Sequence, residues 1–371
     1  MWQPQGIYNE YVLRSPAILA GNESVSGLYN YPAARIAVIC GSSFKDQELF
    51  KRVFKKKELR FFLRSWREEP DLASLHGTLK ELEEFSPDTI IAVGGGSVID
   101  GAKLCRLLYE IPYFVPGVTK LDGSLLSTKF IAAPTTVGSG AEVSSAAVYI
   151  ENHRKEMVVL HELQPDVVVY DKRYVENTPM RLLCASAMDA VSHVVEGYIS
   201  NIRNTIIEIQ AEEVLRLLKG ELDKCLEDDS IDYPRLQFAG YLGGLIQNHC
   251  IVGACHAVAH QLTQYGFSHG EGIALLLPAV IKMNAKDDVT NKRYQNLCRG
   301  AGFTDVNGLI GFVENVCNKA GISDRKGELK KVLDSSINND EFLNNVINDR
   351  GGKGNPVKIT DEFVKELIRS I

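Results

Sequence analysis

The sequence predicts an α/β domain built on a parallel sheet over residues 1–177, followed by an all-helical domain over 178–371. Three observations predict it. At 371 residues the chain exceeds one ordinary hydrophobic core. In the first half, short apolar runs ending in glycine and hydroxyl-rich loops alternate with segments of helical spacing. Near Asn177 the strand signals stop, and helical periodicity continues to the C-terminus.

The elements follow in order. Tyr8 to Leu28 reads as short strands and turns, and Arg35–Ile39 as a buried strand opening into Gly41, Ser42 and Ser43. Lys45–Lys57 has helical spacing, Leu59–Trp66 reads as a strand, and Asp71–Phe85 as a helix with Leu72, Leu75, Leu79 and Leu82 on one face. Thr89–Val93 is a buried strand running into Gly94-Gly95-Gly96-Ser97 and then a helix. Glycines there remove Cβ atoms, so backbone N–H groups and the positive helix end can approach a phosphate. The strand KFIAAP ends at Pro134 and leads into TTVGSGAEVSSAAVY, a second loop of small and hydroxyl residues. Two such loops at the carboxyl ends of parallel strands favour a nucleotide. Beyond Pro179 every segment reads as helix or polar loop, and SSINND through NDRGGKGNP is the most loop-like stretch of the chain.

Composition narrows the partners. Hydrophobic residues make up 45% and charged residues 24%, the balance of a globular protein, and the net charge of −6 disfavours nucleic acid or an anionic membrane surface. No apolar run reaches membrane-spanning length, and MWQPQGIYNEY has neither a basic nor an apolar leader region. The eight cysteines form no C-x-x-C pair and read as reduced thiols. A cytoplasmic protein is expected.

Histidine and carboxylate spacing carries the chemistry. His256 and His260 are four apart, which stacks both imidazoles on one helical face, and His269 follows between Ser268 and Gly270. Upstream, Asp189 and His193 repeat the four-residue spacing. A carboxylate with several imidazoles is a ligand set for Zn²⁺ or Fe²⁺. Spacing leaves open whether the two stretches meet. Val258, Leu262, Tyr265 and Phe267 around the histidines point to a modest apolar pocket for a small molecule.

GGGSVIDGAK, PTTVGSGAEVS, the Asp-x-x-x-His helix, the His-x-x-x-His stretch and the late GNPVKIT occur in an order that resembles the iron-dependent (group III) alcohol dehydrogenases. These share an architecture with glycerol dehydrogenase and dehydroquinate synthase. The resemblance covers nearly the whole chain. It implies a Rossmann-like domain, a helical domain, a metal and cofactor in the cleft between them, and a homodimer or higher homo-oligomer. It also implies metal ligation by Asp189, His193, His256 and His269, with His260 close to the reacting centre. Histidine as a residue type titrates near working pH, which makes His260 a candidate proton relay, with a packing role behind the ligands as the alternative. Gly95, Gly96 and Ser97 would hold the pyrophosphate, Asp100 would lie near the nicotinamide, and Thr135, Thr136 and Ser139 would line the cofactor. Lys155 matches the family's lysine after the second glycine loop and is carried over as a catalytic and cofactor contact. The usual PTTxGTGSE reads Pro134-Thr135-Thr136-Val137-Gly138-Ser139-Gly140-Ala141-Glu142, keeping a hydroxyl at Ser139 and losing one at Ala141.

The implied activity is NAD(P)-linked reduction of aldehydes or ketones and oxidation of alcohols. Glycerol or polyol dehydrogenation is an alternative. A dehydroquinate synthase-like cyclase would need clustered Lys and Arg where this chain has Met188, Ala190, Val191 and Val194. In NAD-preferring relatives the first buried strand ends near an acidic residue that meets the adenosine ribose. Here that position is Gly41, beside Ser42, Ser43 and Lys45, which leads to an expected preference for NADP(H).

Overall fold

A computed structural model describes residues 15–44, 46–66, 69–119, 126–151, 154–227 and 230–371. Two compact units divide the chain, Met1–Asn177 and Thr178–Ile371.

Strands and helices alternate through the first unit: β1 (Ala17–Gly21), β2 (Arg35–Cys40), α1 (Gln47–Val53), β3 (Glu58–Leu63), α2 (His76–Phe85), β4 (Thr89–Gly94), α3 (Gly96–Glu110), β5 (Lys129–Pro134), β6 (Ala146–Glu151), β7 (Arg154–Val159) and β8 (Val167–Asp171). Six strands form one parallel sheet in the order β1-β8-β5-β4-β2-β3. Both faces are covered, so the central strands read as unbroken apolar runs. In β2, Ala37 and Ile39 face a cluster containing Leu82, Phe85, Ile99 and Leu104, while Ile36, Val38 and Cys40 face one with Phe50 and Phe54. β3 pairs with one side of β2 and β4 with the other. Chain order therefore reverses between β2 and β4. In open α/β sheets the crevice at such a reversal, beyond the carboxyl ends of the strands, is where ligands bind.

Two local expectations need correcting. The stretch after Thr135 is not loop throughout, because β6 and β7 form an antiparallel hairpin with Ala146 opposite Val159. That hairpin is tied to α3 by Lys103, whose fully buried ammonium donates to Ser144 O (2.9 Å) and Ala146 O (2.7 Å). Nor is residue 71 helical: Asp71 forms a bridge to Ile150, and α2 begins at His76.

Among the described residues the second unit is helical: α4 (Met180–Ile199), α5 (Thr205–Leu226), α6 (Tyr233–Cys250), α7 (Ala254–Leu262), α8 (His269–Asn284), α9 (Asp288–Ala301), α10 (Val306–Lys319), α11 (Lys326–Ser336), α12 (Asp340–Asn348) and α13 (Asp361–Ser370), with short 3₁₀ turns between some of them. α4 is buried nearly all round and packs against α5, α6, α8 and α9. The stretch that reads as most loop-like contains α12. Its side chains Phe342, Leu343 and Val346 are buried, and the Asn339 side chain caps it by accepting from the Glu341 and Phe342 amides. Packing of one apolar stripe outweighs the low helix propensity of its asparagines. No described helix is long and apolar enough to cross a membrane. All eight cysteines are buried thiols.

Candidate active site

Asp189 and His193 lie one turn apart on α4, His256 and His260 one turn apart on α7, and His269 opens α8. Packing brings the three helices together around one oxygen. Asp189 Oδ1 lies 3.5 Å from His193 Nε2, 3.4 Å from His256 Nε2 and 3.5 Å from His269 Nε2. Asp189, His256 and His269 each offer a ligand atom within 4.8 Å of the others, and His193 stands outside that trio while keeping its contact to Asp189. Ligands at about 2.0–2.2 Å around a tetrahedral ion are about 3.3–3.6 Å apart, the spacing observed about Asp189. Neither Asp189 Oδ1 nor His256 Nε2 has a hydrogen-bond partner, although both are buried. Burial of such atoms is costly unless something charged and electron-poor sits between them. One carboxylate and the imidazoles of His256 and His269 therefore fit a divalent ion, with His193 beside them on Asp189, and the N/O donor set suits Fe²⁺ or Zn²⁺.

Each side chain is held by a partner. His256 Nδ1 is 2.6 Å from Glu196 Oε2, and a carboxylate can only accept, so Nδ1 carries the proton and Nε2 presents its lone pair. Glu196 Oε1 also accepts from the Cys255 amide (2.8 Å), while Asn355 Oδ1 accepts from the Ala254 amide (3.2 Å). These two residues satisfy the first amides of α7 in place of a local cap. Gly253 makes room for both, since a Cβ there would come within 2.8 Å of Glu196 Oε1 and of Asn355 Oδ1. Asn355 belongs to the GNP motif, which explains what that motif does locally.

His269 is set by the start of α8. Ser268 Oγ accepts from the Glu271 amide and Glu271 Oε2 accepts from the Ser268 amide, a reciprocal cap. Glu271 also pairs with Arg181 of α4 at 2.7 Å, which ties the two helix starts together. His269 is the most exposed of the cluster at 24%, against 1% for His193 and His256.

The electrostatics follow from this packing. Burial opposes ionisation of Asp189, but the imidazoles of His193, His269 and His256 outweigh it and hold the carboxyl well below its ordinary range. Burial pushes His193 down to about 3. It acts the same way on His256, yet the carboxylates of Asp189 and Glu196 raise that imidazole, and a bound cation would displace its Nε2 proton. At 3.4 Å the contact to Asp189 lacks hydrogen-bond geometry, so the Glu196 contact is the stronger support. Glu196→Gln is expected to weaken divalent-metal affinity by about 10- to 100-fold. Competitive titration with a chromophoric chelator checks this, and an unchanged affinity would reduce Glu196 to a helix cap.

His260 meets the His256 ring edge-on, with centroids 6.1 Å apart, and its polar contact lies elsewhere. Its Nδ1 lies 2.8 Å from Asp349 Oδ2, and Asp349 Oδ1 accepts from the Gly351 amide at 2.7 Å. The His260 ring stacks on His269 with centroids 5.2 Å apart. Val258, Leu262 and Phe267, read in the sequence as pocket walls, are buried side chains, and Phe267 lies beneath the Arg325 guanidinium. Only Tyr265 of that group is exposed.

In the first unit the two glycine loops touch. A Cβ on Gly96 would meet Ser139 Cβ at 2.9 Å, and one on Gly95 would meet Thr136 at 3.3 Å. The Thr135 amide donates to Gly94 O. Gly95, Gly96, Ser97, Thr135, Thr136 and Ser139 are the half-exposed positions on otherwise buried segments, all at the carboxyl ends of β4 and β5. The Gly95 N-cap supplies no side chain to the first amides of α3, a helix start of the kind that can receive a phosphate. Gly41 and Ser42 follow β2, and Lys45 lies outside the described residues. Asp100 is buried and accepts from the Val148 amide (3.1 Å), its carboxyl raised to about 6 by burial. Lys155 pairs with Glu69 at 2.8 Å.

Sequence reasoning missed Glu196, Asp349 and Arg64, whose Nη1 donates to Ser97 Oγ. Glu196 left a signal: seven residues after Asp189 and three after His193, it lies on the same face of α4. Asp349 left none, because it joins His260 across 89 residues of sequence.

A nucleotide-type glycine turn at the sheet reversal and a carboxylate–imidazole cluster on helices define a class: enzymes that pair a dinucleotide with a divalent ion. Residues 15–172 match the model of the iron-containing alcohol dehydrogenases, and 183–371 that of the Fe-containing alcohol dehydrogenase family, C-terminal. An alcohol dehydrogenase of Thermococcus barophilus is 27% identical over 309 residues, covering 81% of each chain. An NADPH-dependent butanol dehydrogenase of Clostridium saccharobutylicum is 27% identical, covering 82% of this chain and 81% of its own. The structure of an iron-containing alcohol dehydrogenase from Thermococcus thioreducens superposes with a TM-score of 0.86 at 26% identity, covering 97% of this chain and 98% of that one. The chain belongs to the iron-containing alcohol dehydrogenase family. It is an oxidoreductase acting on CH–OH groups, metal-dependent and linked to a nicotinamide cofactor.

Proposed function

We propose that the enzyme interconverts small aldehydes or ketones and their alcohols, with NADP(H) as preferred cofactor and one Fe²⁺ or Zn²⁺ held by Asp189, His193, His256 and His269. The observation that carries the metal assignment is the convergence of three imidazole Nε2 atoms on Asp189 Oδ1 at 3.4–3.5 Å. The ion supplies Lewis acidity at the reacting oxygen, and the nicotinamide supplies or takes the hydride. The chain's own residues orient and move protons. Glu196 fixes the His256 tautomer, and Asp349 accepts from His260 Nδ1–H, which leaves His260 Nε2 to exchange a proton with the substrate oxygen or water. Gly95, Gly96 and Ser97 receive the pyrophosphate, Thr135, Thr136 and Ser139 line the cofactor, Asp100 lies near its nicotinamide end, and Lys155 is a catalytic and cofactor contact. The same reading takes the enzyme as a cytoplasmic homo-oligomer, on the strength of the family resemblance.

Parallel metal titrations test ligand against relay. His260→Ala is expected to keep its metal while turnover falls by about 10²- to 10⁴-fold. His256→Ala is expected to lose the metal itself. Equal loss of metal from both variants would make His260 a ligand and overturn the assignment.

Cofactor preference rests on Gly41, where no carboxylate stands at the end of β2, and is supported by the likeness to an NADPH-dependent relative. Gly41→Asp is expected to raise the NADH/NADPH ratio of kcat/KM by about tenfold or more, through repulsion of the 2′-phosphate. An unmodified enzyme that favours NADH would refute this part of the reading.

A further inference from the structure

The reversal between β2 and β4 carries a cation that the cofactor residues described above leave unused. Arg64 is the first residue after β3. Its amide donates to Cys40 O at 3.0 Å, which fixes its backbone beside the end of β2, one residue before Gly41. From there its guanidinium crosses toward the glycine turn, and Nη1 donates to Ser97 Oγ at 3.2 Å. The Trp66 indole donates to Ser97 O (3.1 Å) and packs on Gly101, where a Cβ would meet the ring at 2.1 Å. That contact pins the Arg64–Trp66 segment against α3.

Arg64 is half-buried, and burial lowers its pKa below the ordinary arginine value. Among the described residues no carboxylate forms an ion pair with it. The carboxylate in the loop after β2, Asp46, acts on Arg173 and Tyr174 instead. A guanidinium has five N–H donors in a planar fork that matches phosphate oxygens two at a time. One contact to a neutral hydroxyl leaves most of that capacity, and the whole charge, unused at the crevice between β2 and β4.

We propose that Arg64 recognises the 2′-phosphate of NADP(H), gripping it between the end of β3 and the Gly41–Ser43 turn, while Ser97 orients the guanidinium. This rests on the reading of NADP(H) as the preferred cofactor. It gives that preference an attractive element, where Gly41 contributes only the absence of a repulsive one.

Calorimetric titration of the full-length enzyme with NADP⁺, NAD⁺, adenosine 2′,5′-bisphosphate and 5′-AMP tests it without turnover. In Arg64→Gln, affinity for NADP⁺ and for the bisphosphate is expected to fall about 10- to 100-fold, with NAD⁺ and 5′-AMP unchanged. Unchanged NAD⁺ binding also reports that the fold and the pyrophosphate loop are intact. Arg64→Lys keeps the charge and loses the fork, so a several-fold loss confined to the two 2′-phosphate ligands is expected; that variant decides the matter if Arg64→Gln does not fold. Equal losses for NADP⁺ and NAD⁺ would assign Arg64 to the pyrophosphate, and no loss for either would leave it without a cofactor role; both overturn the proposal while the cofactor preference stands. An unmodified enzyme binding NADP⁺ no tighter than NAD⁺ would instead overturn the preference itself, and the proposal with it.

Discussion

Asp189→Asn is expected to strip the divalent ion from the protein and to lower turnover by about 10³-fold or more. The substitution preserves volume, so packing of α4 changes little. It replaces the one anionic donor, however, and Asp189 Oδ1 is the atom on which His193, His256 and His269 converge at 3.4–3.5 Å. A neutral amide returns little attraction for a dication, and its NH₂ group points donors at nitrogens that need to keep their lone pairs. Removing metal from the unmodified enzyme with a chelator should reproduce the loss, and adding Fe²⁺ or Zn²⁺ should reverse it only there. Elemental analysis decides the point. Stoichiometric metal in purified Asp189→Asn, with turnover near normal, would mean that the ion is held elsewhere.

Gly270→Ala is expected to combine a loss of stability of about 1–3 kcal/mol with a fall in turnover of about 10²-fold. Gly270 follows His269 in α8 and lies against α4, where a Cβ would stand 2.3 Å from Ala185 O and 2.7 Å from its carbonyl carbon. Both atoms are helix backbone, so the clash is relieved only by moving α8 away from α4. His269 rides on α8 and Asp189 on α4, so their 3.5 Å contact opens with the same displacement. Gly272→Ala is the control. A Cβ there meets its nearest neighbour, a Leu262 methyl, at 3.4 Å, and alanine is the better helix former, so a neutral effect or a gain of up to about 1 kcal/mol is expected. Urea unfolding and metal titration of both variants check the pair. Gly270→Ala matching the unmodified enzyme in both measurements would show that the close approach is not what holds the site.

The glycines beside the histidines illustrate how reading and structure divide. In the sequence Gly270 is only a small residue beside His269. In the fold it lies inside a helix with ordinary dihedral angles, and its purpose is contact distance. The left-handed conformation belongs to Gly266, at the turn before α8, with φ of +78°. Sequence shows where side-chain bulk is missing, and only the packed neighbour reveals why.

What the sequence by itself determined was local and periodic. The apolar runs of β2, β4 and β5 are legible because both faces of a parallel sheet are buried. The paired spacings of Asp189/His193 and His256/His260 are legible because one helical turn stacks residues four apart. The glycine turn before α3 is legible because a backbone approached by another loop cannot carry a Cβ. The tertiary structure alone decided which groups meet across long separations. It gave His260 Nδ1 to Asp349, set Glu196 behind His256, and drew Arg64 from β3 to Ser97. It also made α12 from an asparagine-rich stretch whose buried stripe is stabilised only once α7 and α13 cover it. The reason is common to these cases. Periodicity and turn chemistry are fixed by neighbours in the chain, whereas the partner of a buried charge or the cover of an apolar stripe is set by helices and strands that meet only when the chain has folded.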